Sequence, residues 1–356
     1  MKTVPSTAKK PLDRPGGTQL VGTLRAGTPL PTGAQAIDAV SPPTAIRRET
    51  NMPKPRALVA GSRIRLVTPA SPILAERTRV MTAFLNENGY VVELGTHALT
   101  SGDYLAGTDA ERAADLTDAF MDPGVDAVLC TRGGYGCARL LPFLDIPTLA
   151  AQGKLFLGFS DITTLHLALN ACGLPTLHAP MALTFHWPRD AWVYESFARG
   201  LLGDMTVPAD AGRGTTVVAG KATGQVTGGC LILIADSIGT QYAMNAKGKI
   251  VLIEDVDEPP HRVDAMLTHL LNAGSLEGAA GIVVGEMTRS DERVDEGIGG
   301  TSWRAIIEER LKPLGLPMVI DFPFGHAKNM LTLALGIQAE LDAEAGTLTY
   351  TEPLCI

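Results

Sequence analysis

Between Arg63 and His178 short strand-like runs alternate with stretches of helical period, and this alternation limits the fold more than any other feature of the chain. The runs are Arg63 to Thr68, Tyr90 to Leu94, Val125 to Thr131, Leu155 to Phe159 and Thr176 to His178. Helices are expected over about Ile73 to Asn88, Asp109 to Met121, Cys137 to Leu144, and from the Ser160 turn to Asn170. Strands that return through a helix each time pair in parallel, so a doubly wound N-terminal α/β domain is expected over residues 56–186. Working groups in such a sheet gather outside the carboxyl ends of the strands. Pro69-Ala-Ser-Pro72, Arg132-Gly-Gly-Tyr-Gly136, Ser160 and His178 all fall there.

From Ala222 a second unit repeats the theme: a strand, Gly228-Gly229, then helix Leu231 to Ser237 and strand Ile250 to Ile253. Helix Pro259 to Leu271, strand Gly281 to Val284, helix Ser302 to Leu311 and strand Met318 to Ile320 follow. Short closing strands (Leu331 to Gly336, Gln338 to Leu341, Thr347 to Thr351) imply a mixed sheet in this C-terminal α/β domain, residues 222–356. The weakly patterned stretch 187–221, with Trp187 and Trp192 at its start, reads as the connection between the two. Residues 1–55 are rich in Pro, Thr, Gly and Ala and lack periodicity, which is the composition of a disordered extension. Either Met52 is a true start, or residues 1–51 are a flexible appendage ahead of the first strand.

Composition removes several classes of function. A formal net charge of −8 argues against nucleic acid or an anionic membrane as partner. The five cysteines (130, 137, 172, 230 and 355) form no CxxC pair, and most lie in apolar or helical surroundings, as free thiols in a reducing compartment do. No apolar run approaches the ~20 residues that span a bilayer, and the N-terminus lacks the apolar stretch of a secretory signal. A cytoplasmic protein is expected.

Ser160 sits on the one polar turn between the buried run Leu155 to Phe159 and the apolar helix that follows. Gly158, two residues earlier, leaves room for a tight strand-to-helix turn that would lift the Oγ out of the sheet, as in the G-x-S-x-G nucleophile elbow. The pattern here is G-F-S-D, a partial match, and serines at helix starts are more often N-caps. A serine nucleophile also needs a base and a group to orient that base. Glu254-Asp-Val-Asp-Glu258 follows one buried run of the second unit, and Asp321-Phe-Pro-Phe-Gly-His326 follows another, so Glu254 and His326 are candidates. The acidic cluster could instead hold a divalent cation, although helix capping near Pro259 is the plainer reading of most of it. His166 lies about 240° around the helix from Ser160 and should point away. His178 either lines the pocket or makes a structural hydrogen bond. No His spacing suits a metal, and no metal or cofactor is expected. The Arg132 to Gly136 turn lacks phosphate-loop spacing; it would offer backbone N–H groups to a developing oxyanion.

Taken together these residues resemble a known family. Tyr104-Leu-Ala-Gly-Thr-Asp109 with Arg112 and Asp115-Leu116, Arg132-Gly-Gly-Tyr-Gly136, Gly158-Phe-Ser-Asp161, Gly228-Gly229, Glu254-Asp-Val256 and Gly325-His326 occur in the order seen in the LD-carboxypeptidases (muramoyltetrapeptide carboxypeptidases) and their microcin-immunity relatives. The resemblance covers roughly residues 53 to 353 and implies a Rossmann-like or glutamine-amidotransferase-like first domain. It implies Ser160 as nucleophile, His326 as general base, Glu254 orienting it, and an oxyanion hole from the N–H groups of Gly134 and Asp161. Arg132 and His178 become candidates for substrate binding. The implied substrate is a murein tetrapeptide or related small peptide, cut at the L-D bond to its terminal D-alanine during cell-wall recycling, by a homodimer. A microcin-type enzyme cleaving a peptidyl- or aminoacyl-nucleotide with an aromatic such as Trp187 or Trp192 is one rival. A non-catalytic peptide binder, with its Ser, Glu and His too far apart to bond, is another. Cys230, where an asparagine is common, and Ala265, where an arginine is, depart from the family pattern.

Overall fold

The computed structural model describes residues 54–294, 297 and 300–356. The expected disordered extension and the start at Met52 lie outside the described residues as far as residue 53; Lys54 and Pro55 are inside, where Ile356 N–H donates to the Pro55 carbonyl at 2.9 Å.

The strands are β1 (Arg63–Val67), β2 (Val91–Leu94), β3 (Ala127–Cys130), β4 (Leu155–Gly158), β5 (Thr176–His178), β6 (Thr215–Val218) and β7 (Lys221–Cys230). After them come β8 (Lys249–Val256), β9 (Gly281–Thr288), β10 (Met318–Ile320), β11 (Leu333–Leu335), β12 (Gln338–Asp342) and β13 (Thr347–Tyr350). The first sheet has the order β11-β5-β4-β3-β1-β2 and is parallel except for β11. The order reverses between β1 and β3, which is the switch point where α/β sheets of this type place their sites. Its central strands β3 and β4 are apolar because both faces are covered, whereas β1 and β2 towards the edge carry Arg63, Arg65 and Glu93. Val128 and Phe156 face one core cluster, and Leu129 and Leu157 face the other.

The second sheet, β13-β12-β7-β8-β9-β10-β6, is parallel from β7 to β10 and antiparallel outside that stretch. Val251, Ile253 and Ile282 pack on one face, and Ile250, Leu252 and Val283 on the other. Both domains are therefore α/β, the first nearly parallel and the second mixed. No helix among the described residues is long and apolar enough to cross a membrane.

Four local expectations change. The segment expected to be a helix from Cys137 is a 3₁₀ helix, Cys137–Phe143, because Pro142 cannot continue an α-helical ladder. The helix expected from Ile73 begins at Arg79, after a single 3₁₀ turn at Ala75–Arg77. The stretch 187–221 holds the helix Ala191–Leu201 and strand β6, which joins the second sheet. Finally β11, expected beside the other closing strands, crosses over to pair antiparallel with β5 of the first sheet, Leu333 opposite His178.

Candidate active site

Ser160 is not a helix cap. It has φ 66°, a left-handed conformation that costs a non-glycine residue on the order of 1–3 kcal/mol and persists only where surroundings enforce it. The enforcement is visible. Phe159 is fully extended (φ −157°, ψ −173°), and Ser160 opens a single 3₁₀ turn before the helix Thr163–Ala171. His166 does point away from Ser160, but it supports the turn from beneath. Its Nε2 meets the Gly158 carbonyl at 2.8 Å and its Nδ1 the Thr176 hydroxyl at 2.8 Å. Burial pushes His166 down to about 3, so it stays neutral and structural.

Across from the turn, the loop after β3 comes against the serine. A Cβ added at Gly133 would sit 2.8 Å from Ser160 Cβ and 3.0 Å from its Oγ, so only glycine lets the loop approach this closely. Gly134 is next in the chain. The fully buried Arg112 guanidinium ties this loop to the one after β1: it bonds the Pro69 carbonyl and, at 3.1 Å, the Gly136 carbonyl. Asp161 turns its carboxylate inward to accept the Cys137 N–H at 2.8 Å. Burial raises its pKa, opposed by that hydrogen bond. These contacts hold the Arg132 to Gly136 turn over the start of the Ser160 helix.

The other two candidates come from the second sheet. Glu254 lies inside β8, which runs on to Val256, next to an irregularity in the β8–β9 pairing after Ile253. It is completely buried, and its Oε2 accepts two hydrogen bonds from His326, from the backbone N–H at 3.1 Å and from Nδ1 at 2.6 Å. Gly325 makes this possible. Its φ is 92°, and a Cβ there would lie 2.5 Å from Glu254 Oε2. His326 Nε2 in turn meets Ser160 Oγ at 3.0 Å. Burial works against charge on Glu254, but the adjacent His326 and His178 together outweigh it and the carboxyl is held well below its usual range. Burial likewise opposes charge on His326, and Glu254 outweighs it, so the imidazole pKa is raised. A hydroxyl, an imidazole and a buried carboxylate thus form one hydrogen-bonded chain, which can pass a proton off the hydroxyl as the oxygen attacks.

The remaining acidic residues of the 254–258 stretch do not cap the helix at Pro260, whose N-cap, Pro259, makes no side-chain bond. Asp255 accepts the N–H groups of Ile232 at 2.9 Å and Val256 at 2.7 Å, and Asp257 pairs with Arg289 and Arg293. Burial and the Glu254 charge push Asp255 up to about 7. Its position after a buried run gave no signal that it would sit under the start of the earlier helix Leu231–Asp236. Cys230 N–H donates to Thr163 Oγ1 at 3.1 Å, joining the second sheet to the helix that Ser160 precedes.

Two expected substrate-binding residues separate. Arg132 is half-buried, with Nε on the Gly133 carbonyl (3.1 Å) and Nη1 on the Pro72 carbonyl (3.0 Å), and forms no ion pair among the described residues. His178 is fully buried between Phe159 and Phe324, 3.7 Å from Glu254, and so does not open onto the surface of a pocket. Of the two tryptophans, Trp192 packs into the core, while Trp187 is 48% exposed with the Arg77 guanidinium 5.7 Å over its ring.

Residues 64–179 match the LD-carboxypeptidase N-terminal domain and residues 223–341 the LD-carboxypeptidase C-terminal domain. A putative carboxypeptidase of Streptomyces coelicolor is 42% identical over 85% of this chain and 97% of its own. The murein tetrapeptide carboxypeptidase of Pseudomonas aeruginosa is 32% identical over 79% and 93%. The crystal structure of muramoyltetrapeptide carboxypeptidase from Oxalobacter formigenes superposes with a TM-score of 0.71 at 28% identity, covering 81% of this chain and 97% of that one. The chain is a carboxypeptidase, a hydrolase, and belongs to the LD-carboxypeptidase family.

Proposed function

We propose that this protein is a serine carboxypeptidase that removes the terminal D-alanine from murein tetrapeptides, cutting the L-D bond by way of an acyl-enzyme. The observation that carries the reading is the unbroken chain Ser160 Oγ–His326 Nε2 (3.0 Å) and His326 Nδ1–Glu254 Oε2 (2.6 Å), assembled from two sheets. Hydrogen-bonded groups of this kind are what a peptide-binding protein without catalysis would lack. Ser160 Oγ attacks the scissile carbonyl and its proton passes to His326 Nε2. Glu254 holds the ring in place and stabilises the imidazolium that forms. The N–H groups of Gly134 and Asp161 receive the negative oxygen, worth about 3–4 kcal/mol per donor at such sites. His326 then returns the proton to the departing D-alanine amine, and water releases the acyl group by the same route.

A carboxypeptidase must also recognise a free carboxylate. Arg132 is suited to this role, being a half-buried guanidinium without a carboxylate partner among the described residues, one residue from the glycine that touches Ser160. The experiment is a panel of purified tetrapeptides. The L-D peptide with a free terminus should be cleaved, while its L-L diastereomer and its C-terminal amide should react about 10⁴-fold more slowly, since each leaves a buried polar group unpaired. Comparable rates across the panel would defeat the assignment. An aminoacyl-nucleotide in the same panel addresses the microcin-type alternative, and faster cleavage of it would displace the murein reading.

A further inference from the structure

Glu254 presents a puzzle that the triad leaves unsolved. It is a completely buried carboxylate, and both hydrogen bonds it accepts fall on Oε2. Oε1 has no hydrogen-bond partner among the described residues. A half-satisfied buried anion is costly, which makes a nearby unused donor significant. There is one: His178 is also completely buried, neither of its ring nitrogens has a hydrogen-bond partner among the described residues, and its Nε2 stands 3.7 Å from Glu254 Oε1. That separation is longer than a hydrogen bond yet leaves the two orphaned atoms facing each other. The ring cannot readily turn elsewhere, because Phe159 lies 5.5 Å from it on one side and Phe324 5.6 Å on another.

The placement in the fold gives this contact a purpose. His178 ends β5 and is paired in register with Gly158, two residues before Ser160. Phe159, between them in the chain, also touches the His326 ring at 4.9 Å. His178 is thus anchored to the sheet that carries the nucleophile, while Glu254 belongs to the other sheet and His326 to the loop that leaves it after β10.

We propose that His178 is a positioning residue: its Nε2–H closes onto Glu254 Oε1, fixing the carboxylate so that Oε2 faces His326, and so registers the two halves of the site across the domain boundary. The inference rests on the triad reading above for its effect on rate, but the contact itself does not. No bond to substrate is made by His178. Apart from His178, the charged or titratable groups bearing on Glu254 are His326, Asp255, its neighbour in the strand, and the Cys230 thiol opposite it on β7.

The test compares two substitutions of similar bulk with a direct observation of the wild-type ring. His178→Met, which removes the donor, should lower kcat about 10- to 100-fold with KM changed less than about threefold, the range expected for losing a hydrogen bond to a charged group. More of the Glu254 charge then falls on His326, so the acid limb of kcat/KM should move to higher pH. His178→Gln, which keeps an N–H donor, should recover most of the rate and the original pH limb. Equal behaviour of the two variants, with an unmoved pH limb, would reduce His178 to packing and overturn the proposal. Nitrogen-15 NMR of the wild-type histidine rings decides the matter even if a variant fails to fold. The His178 Nε2 should carry the proton, and its resonance should shift in Glu254→Gln. A bare Nε2, or no shift, overturns the contact. If Ser160 proves not to be the nucleophile, the rate data lose their meaning but the ring-nitrogen result stands.

Discussion

The two sheets hold their shares of the site by different means. The first fixes Ser160 with backbone: a φ of 66°, an extended Phe159, a glycine at 133 whose missing side chain admits the serine, and a neutral His166 bonded beneath to the Gly158 carbonyl. The second fixes His326 with charge: a completely buried carboxylate, two hydrogen bonds from one residue to one oxygen, and a second carboxyl beside it at Asp255. A nucleophile must be aimed, and steric enforcement aims without titrating. A base must be tuned, and a buried ion pair tunes while remaining exposed to changes of pH. The division predicts that damage to the second sheet's residues shows in proton chemistry, whereas damage to the first shows in geometry.

The largest break should come from the base. His326→Gln keeps a donor for Glu254, so folding is retained, but proton transfer is lost and kcat should fall by up to about 10⁶-fold. Glu254→Gln should cost less, about 10⁴-fold, because it disturbs the ring's orientation and charge without removing the base. Steady-state kinetics on the L-D tetrapeptide, with a melting curve for each variant, checks both. Equal losses at the two positions would contradict the assigned roles.

A smaller effect sharpens the contrast through pH. Glu254 holds the His326 pKa above the ordinary histidine value despite burial, so the base is protonated, and idle, below that raised value. The acid limb of kcat/KM should therefore lie above the free imidazole's ~6.5. In Glu254→Gln the raising charge is gone and burial remains, so the limb should move to lower pH. A limb that stays in place would mean that some other group sets it.

The smallest effect falls on stability. The Asp255 pKa is raised to about 7 in the folded protein by burial and the Glu254 charge. A carboxyl raised in this way contributes stability that is complete below its unfolded value and is lost as pH rises through the folded one. Between pH 5 and 8 the melting temperature should fall by about 2–5 °C on this account, and Asp255→Asn should flatten the difference. An unchanged slope in Asp255→Asn would remove Asp255 as the cause.

What the sequence disclosed follows the same division. The first sheet's parallel pairing and its strand ends were legible because βαβ units are local, and apolar runs with intervening helical stretches mark them. His326 was legible from the Pro/Gly loop that presents it. Glu254 was found, although as a strand-end residue, and the structure sets it within β8. The fates of Asp255 and Asp257 were not legible, since their partners Ile232, Arg289 and Arg293 lie far off in the chain and the local expectations were helix capping or a cation. Nor was the crossing of β11 to β5, because a three-residue strand carries no mark of its partner. His178 stood correctly at a strand end, but no local pattern tells a residue open to substrate from one shut against a carboxylate of another domain.

The central claim, that Ser160 is the nucleophile of a single relay reaching across both sheets, meets its most direct test in one variant. Ser160→Ala, shown to be folded by circular dichroism, should turn over the L-D tetrapeptide about 10⁶-fold more slowly than the wild type. Turnover within about tenfold of wild type would contradict the account, whatever the distances between the side chains.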